Sequence, residues 1–201
     1  MTEQRFEGRI AGLGSTSGIR VVVGWWHQTP WGEFADVMVE DLAGHRVLLA
    51  PDDRVAELLE QTYNFDEVVI GPVQVAALGR GIRVHGHDLH LGFTVGGRTL
   101  LGGLLGLVPR RLGTSPRWLT VIDPAARMVL KGVRTRGSAG VGRTEFYGAY
   151  GLHRIDCVFG TWRGTDLGTL APVEPPVRFG FGSTPRRPVV TSLVTTIRGR
   201  S

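Results

Sequence analysis

Along most of this chain, apolar and polar residues alternate in short runs, the two-residue period of strands with one buried face. "RFEGRIAG" and "IRVVVGWW" read as strands on either side of the loop "GLGSTSG" at residues 12–18. "EFADVMVED" and "HRVLLAP" read as a hairpin joined through "LAG". The same period recurs in "DEVVIGPVQVAAL", "GIRVHGH", "LHLGFTVG", "GVRTRGS", "RTEFYGAYGLHRIDCVFGTW" and "PVVTSLVTTIRG". Two stretches break it. In "DDRVAELLEQTY", Val55, Leu58, Leu59 and Thr62 fall on one helical face behind a cap from Asp52 or Asp53. The second break contains two helix starts in which proline follows a capping residue, Ser115-Pro116 and Asp123-Pro124. Strands, a helical insertion and strands again predict an α+β chain, mainly antiparallel β. The sheet is expected to be curled or closed into a β-barrel, with a helical insertion around residues 99–131 and a single domain over 1–201.

Glycine sharpens this picture. The chain has 30 glycines in 201 residues, about twice the usual share, spread through β-branched runs as turns and bulges require. Gly-X-Gly-Ser-Thr occurs twice, in "GLGSTSG" and in "GFGSTP" at residues 180–185. A dinucleotide fingerprint needs a third glycine where Ser17 stands, and a helix where "IRVVV" follows. A Walker loop needs Gly-Lys-Ser/Thr, and a nucleophile elbow needs serine where Thr16 stands. The two segments are therefore predicted to be strand-linked loops that bind no nucleotide, with Ser and Thr hydroxyls bonding back to the backbone.

"MTEQRFEGRI" lacks the charged-then-apolar pattern of an export signal, and no apolar run is long enough for a transmembrane segment, so a cytoplasmic protein is expected. Cys157 is the sole cysteine, which excludes an internal disulfide and any multi-cysteine metal site. Its alternation with Ile155 and Phe159 predicts a core position. The net charge of +5 hides an asymmetry: residues 1–70 carry 12 acids and 5 arginines, whereas residues 71–201 carry 6 acids and 18 basic residues. Such a dipole steers an anionic ligand or pairs the two halves of the chain. The arginines are dispersed and no nucleic-acid motif accompanies them, so no nucleic-acid partner is expected.

Four clusters remain as candidate chemistry. "GWWHQTPWGEF" gathers Trp25, Trp26, His27 and Trp31; adjacent tryptophans on a strand face opposite ways, and one of them would line a cavity mouth. "TRGSAGVGR" surrounds a glycine-rich turn with Arg134, Arg136 and Arg143, which with backbone amides would hold an anion. "HGHDLH" places His85 and His87 on one strand face, but its register differs from metal-binding patterns and it reads as a polar hairpin turn. Glu145 and Tyr147 would face a barrel interior together, with Glu33 and Asp36 as further acids, although no spacing singles out a catalytic pair. Lys131, the only lysine, is a Schiff-base candidate if buried.

"GLGSTSGIRVVVG", "TPWGEFADVMVE", "GVRTRGSAGVGR" and "PPVRFGFGSTPRRP" resemble stretches of a family of uncharacterised actinobacterial proteins. The resemblance spans most of the chain and implies a cytosolic, GC-rich bacterial setting. That family has no assigned activity, so no catalytic residue comes with it.

Residues 99–108, "TLLGGLLGLV", are apolar on nearly every face and therefore require burial by the domain, a partner or a ligand; Arg110 and Arg111 follow at once. The reading is a non-enzymatic binding protein: a β-barrel, covered at its open end by this segment, holding a small apolar or amphipathic anionic ligand. Its expected site residues are Trp25, Trp26, His27, Trp31, Arg110, Arg111, Arg134, Arg136 and Tyr147, with no metal and no cofactor. A lyase- or hydrolase-like enzyme using the same cavity is the first alternative. A structural subunit without ligand is the second, and a homo-oligomer is compatible with any of the three.

Overall fold

A computed structural model describes residues 2–129, 136–138, 143–180 and 184–199. Strands β1 (Thr2–Ser15), β2 (Arg20–Gln28), β3 (Phe34–Glu40) and β4 (Arg46–Ala50) form an antiparallel meander. Helix α1 (Asp53–Glu60) follows, its first turn capped by the Asp52 Oδ1 that accepts the Val55 N–H at 2.9 Å. It crosses back to β5 (Glu67–Ile70), which runs parallel to β4. Then come β6 (Val73–Leu78), β7 (Gly81–Gly86) and β8 (Leu89–Arg98), and the helices α2 (Leu100–Leu105), α3 (Arg110–Gly113) and α4 (Pro116–Val129). The chain closes with β9 (Arg136–Ser138), β10 (Arg143–Trp162), the short β11 (Thr165–Asp166) and β12 (Leu170–Ala171), and β13 (Val189–Gly199).

The strand order is β5-β4-β3-β2-β1-β13-β10-β8-β7-β6. Its two end strands, β5 and β6, are separated in the chain only by Gly71-Pro72. Such a link spans about 10 Å at most, so the sheet must curl until its ends meet, and β6 packs across onto β3. The expected single run "DEVVIGPVQVAAL" is thus two strands at opposite ends of one sheet. Proline, lacking an N–H, marks the break.

Alternation sorts the residues onto two faces. Ala11, Leu13, Val21, Val23, Val37 and Val39 point into the curl, where they meet Ile82, Val84, Leu91 and Phe93 in a filled core. Val22, Gly24, Asp36 and Met38 point the other way. There, α1 to α4 and the segment around Val177 and Phe179 cover the sheet and enclose a cavity. The helical insertion was expected to close an open barrel end; it covers this second face, because the curl is already packed solid.

Several local expectations need correction. Helix α4 runs through Pro124, since a proline costs one backbone hydrogen bond without necessarily ending a helix held against a sheet. Residues 99–108 are buried on one face alone: Leu101, Leu105 and Val108 line the cavity, while Leu100 and Leu107 are 93% and 79% exposed. Cys157 is exposed, its thiol 3.2 Å from Thr94 Oγ1. A bulge between Ile155 and Cys157 shifts the register with β8, so Ile155 and Val158 turn inward and Cys157 outward. His87 lies in the turn after β7 with φ of 39°, and His85 faces His90 across the hairpin instead.

The first Gly-X-Gly-Ser-Thr segment ends β1 and turns into β2, with Ser15 Oγ donating to the Ile19 carbonyl at 2.7 Å. Of the second, Phe181, Gly182 and Ser183 lie outside the described residues. Thr184 packs directly over Gly12, where any Cβ would collide with its side chain. The two segments are neighbours in space. No helix among the described residues is long and apolar enough to cross a membrane.

Candidate functional site

The cavity measures about 370 Å³. Its floor is the face of β3, β2, β1, β13 and β10 opposite the core, and its walls are mostly aliphatic and aromatic. Leu58, Leu59 and Thr62 enter from α1 and its C-terminal turn, as their shared helical face predicts. Trp118, Leu119 and Ile122 enter from α4.

Two carboxyl groups stand in this apolar surrounding. Asp36 is 3% exposed and sits opposite Gly24 in the β2–β3 ladder. Trp26, two residues beyond Gly24 on the same face, donates its indole N–H to Asp36 Oδ1 at 2.9 Å. Glycine is required between them: a Cβ on Gly24 would lie 2.6 Å from that oxygen and 2.9 Å from the indole nitrogen. Burial raises the Asp36 pKa to about 7, and the Trp26 hydrogen bond only partly opposes it.

Glu145, on β10, is 5% exposed and pairs with Ile197 of β13. Burial raises its pKa to about 7 as well. Its Oε2 is buried and has no hydrogen-bond partner among the described residues, and the same holds for Thr195 Oγ1 and Thr184 Oγ1. Tyr147 follows on the same face, paired with Thr195. Burial pushes its phenol far up, with smaller contributions from the charges of Glu145 and Asp36. Tyr63, from the turn after α1, is raised chiefly by burial and also by Glu145, Tyr147 and Asp36. These four groups therefore converge on one cavity, and near neutral pH they form a hydrogen-bonding patch inside an apolar box.

Of the residues expected at a site, Trp26 and Tyr147 line the cavity. Trp25 faces the opposite core, 6.4 Å from the Phe93 ring. Trp31 stacks edge-on against Phe6, at 5.4 Å, behind the cavity wall. His27 is half-exposed, its Nε2 3.3 Å from Glu7 Oε1. Arg110 pairs with the same carboxylate and lies 4.6 Å over the ring of Tyr150, a lining residue, while Arg111 is exposed. Lys131 and Arg134 lie outside the described residues; Arg136 begins β9. Tyr63 and Thr195 were not anticipated as site residues. Asp36 and Glu145 carried one signal, an acid inside an otherwise apolar strand run, but nothing in the sequence brings β3 and β10 to one floor.

No protein-family model and no curated protein matches the chain. Among solved structures, it is similar to acetoacetate decarboxylase from Legionella pneumophila subsp. pneumophila str. Philadelphia 1, with a TM-score of 0.47 and 6% sequence identity over 99% of this chain and 85% of that one.

Proposed function

We propose that this is a binding protein whose cavity takes up a small, largely apolar molecule with one polar end. The observation that carries the reading is the enclosed apolar space of about 370 Å³ around a few convergent polar groups, within the range of about 300–1,000 Å³ usual for small-molecule sites. An anionic head, which the arginines predict, finds no cation in the described lining. Arg110 is held by Glu7, and the ionisable groups that face the space are acids.

Trp26 and Trp118 stand in the walls, so a ligand entering the cavity changes their fluorescence. A homologous series of straight-chain alcohols should give saturable quenching and a rise in melting temperature. Occupancy at a hundred times Kd adds about 2.7 kcal/mol of stability. Absence of both responses across the series overturns the reading.

A second reading rests on Glu145 alone. A buried, unpartnered carboxyl with a pKa near 7 suits proton transfer to or from a bound molecule. Acid–base catalysis in this cavity predicts turnover that E145Q abolishes while the ligand still binds.

A further inference from the structure

The chemistry of the lining assigns the ligand's polar end a sign. We propose that the cavity is selective for a lipophilic amine in its protonated form, an ammonium group on an apolar body, seated against Glu145. This rests on the reading of the cavity as a binding site and names its ligand class.

The described lining contains five ionisable side chains, Asp36, Tyr63, Glu145, Tyr147 and Tyr150, and each of them becomes negative or stays neutral. No lysine, arginine or histidine stands among the described lining residues. A carboxylate or phosphate placed there would have to shed its hydration against two carboxyl groups, with no opposing charge in the described lining. A cation meets the reverse situation, because it supplies the counter-charge that burial withholds from Glu145.

The hydrogen-bonding pattern agrees. Asp36 Oδ1 is occupied by the Trp26 indole, whereas Glu145 Oε2 accepts nothing. Thr195 Oγ1, on the neighbouring strand opposite Tyr147, and Thr184 Oγ1 on another part of the wall are likewise unmatched among the described residues. Each of these oxygens can accept, the threonine hydroxyls donating as well, and an ammonium group carries up to three N–H donors and no acceptor. An alcohol offers one donor. The aromatic rings of Trp26, Tyr63, Trp118 and Tyr147 lie in the same lining, and ring faces attract cations.

The test compares three probes with the same tail, octylammonium, octanol and octanoate, on the full chain by tryptophan fluorescence and melting temperature. The expected order is octylammonium tightest, octanol about tenfold weaker and octanoate weakest. E145Q, which retains the side chain's volume and removes its charge, should collapse the ammonium preference over the alcohol to within about twofold. Equal binding of the three probes, tightest binding of octanoate, or an ammonium preference that survives in E145Q overturns the inference. In each of those cases the binding-cavity reading stands. Failure of all three probes to bind overturns both. The probe order in the unsubstituted protein is read independently of whether E145Q folds.

Discussion

Asp36, Gly24 and Trp26 show how much a single position decides. The indole reaches its carboxylate only because position 24 has no side chain. Gly24→Ala forces the Cβ against both partners, and a loss of about 1–3 kcal/mol is expected in chemical denaturation. Trp26→Phe keeps the ring but strands a buried carboxyl oxygen, at a similar cost of about 1–3 kcal/mol. The two raised acids also give stability a pH dependence of defined sign. In the folded protein Asp36 and Glu145 hold their protons up to about pH 7, whereas the unfolded chain releases them near the ordinary carboxyl values of 3.8 and 4.5. Their contribution is therefore full below about pH 4 and is lost as pH rises through about 7. Melting temperature should fall between pH 5 and 8, and D36N with E145Q should flatten that slope. An unchanged slope in the double variant would show that other groups set it.

At the scale of elements, the helices behave as a roof over the sheet. Helix α2 rests on β10 through Gly102, where a Cβ would strike the Leu152 carbonyl oxygen. Gly102→Ala should lift this helix, widen the cavity and weaken alcohol binding by about tenfold or more, with little change in circular dichroism. Unaltered binding in a folded G102A protein would mean that α2 does not define the cavity. Helix α1 depends on its cap: Asp52→Ala removes the acceptor for the Val55 N–H and should cost about 1 kcal/mol of stability.

For the molecule as a whole, part of the charge asymmetry of the sequence is paired within the fold. Glu3 pairs with Arg198, Glu7 with Arg110, Glu40 with Arg178 and Glu67 with Arg163, each joining an early acid to a late arginine. Glu40 is the most deeply buried of these acids, with no exposure, and also lies 3.3 Å from the buried Arg20. It accepts the Arg178 backbone N–H at 2.7 Å and its side-chain Nε–H at 2.8 Å. That anchors the segment from which Val177, Phe179 and Gly180 close the cavity. Glu40→Ala leaves Arg20 without its carboxylate and should destabilise the protein by about 3–5 kcal/mol. It should also abolish ligand binding at temperatures where the fold survives. Retained affinity would show that this segment closes the cavity without the Glu40 anchor.

The strands, helix α1 and the helical insertion were legible in the sequence because each is a local period: alternation for β1 to β4, and a recurring face at Val55, Leu58, Leu59 and Thr62. The turn after β1 was legible too, since the glycines and hydroxyls of "GLGSTSG" and the β-branched run after it are local facts. Where a single residue interrupts the period, local reading failed. The bulge beside Cys157 turned an expected core residue outward, and Gly71-Pro72 split one expected strand between the two ends of the sheet. The site is non-local altogether. Asp36 and Glu145 are 109 positions apart in the sequence, and only the order β3-β2-β1-β13-β10 brings them to one floor. Their chemistry is tertiary as well, since the same carboxyls in water would be ionised, and it is the enclosure by helices and loops that holds their protons near neutrality.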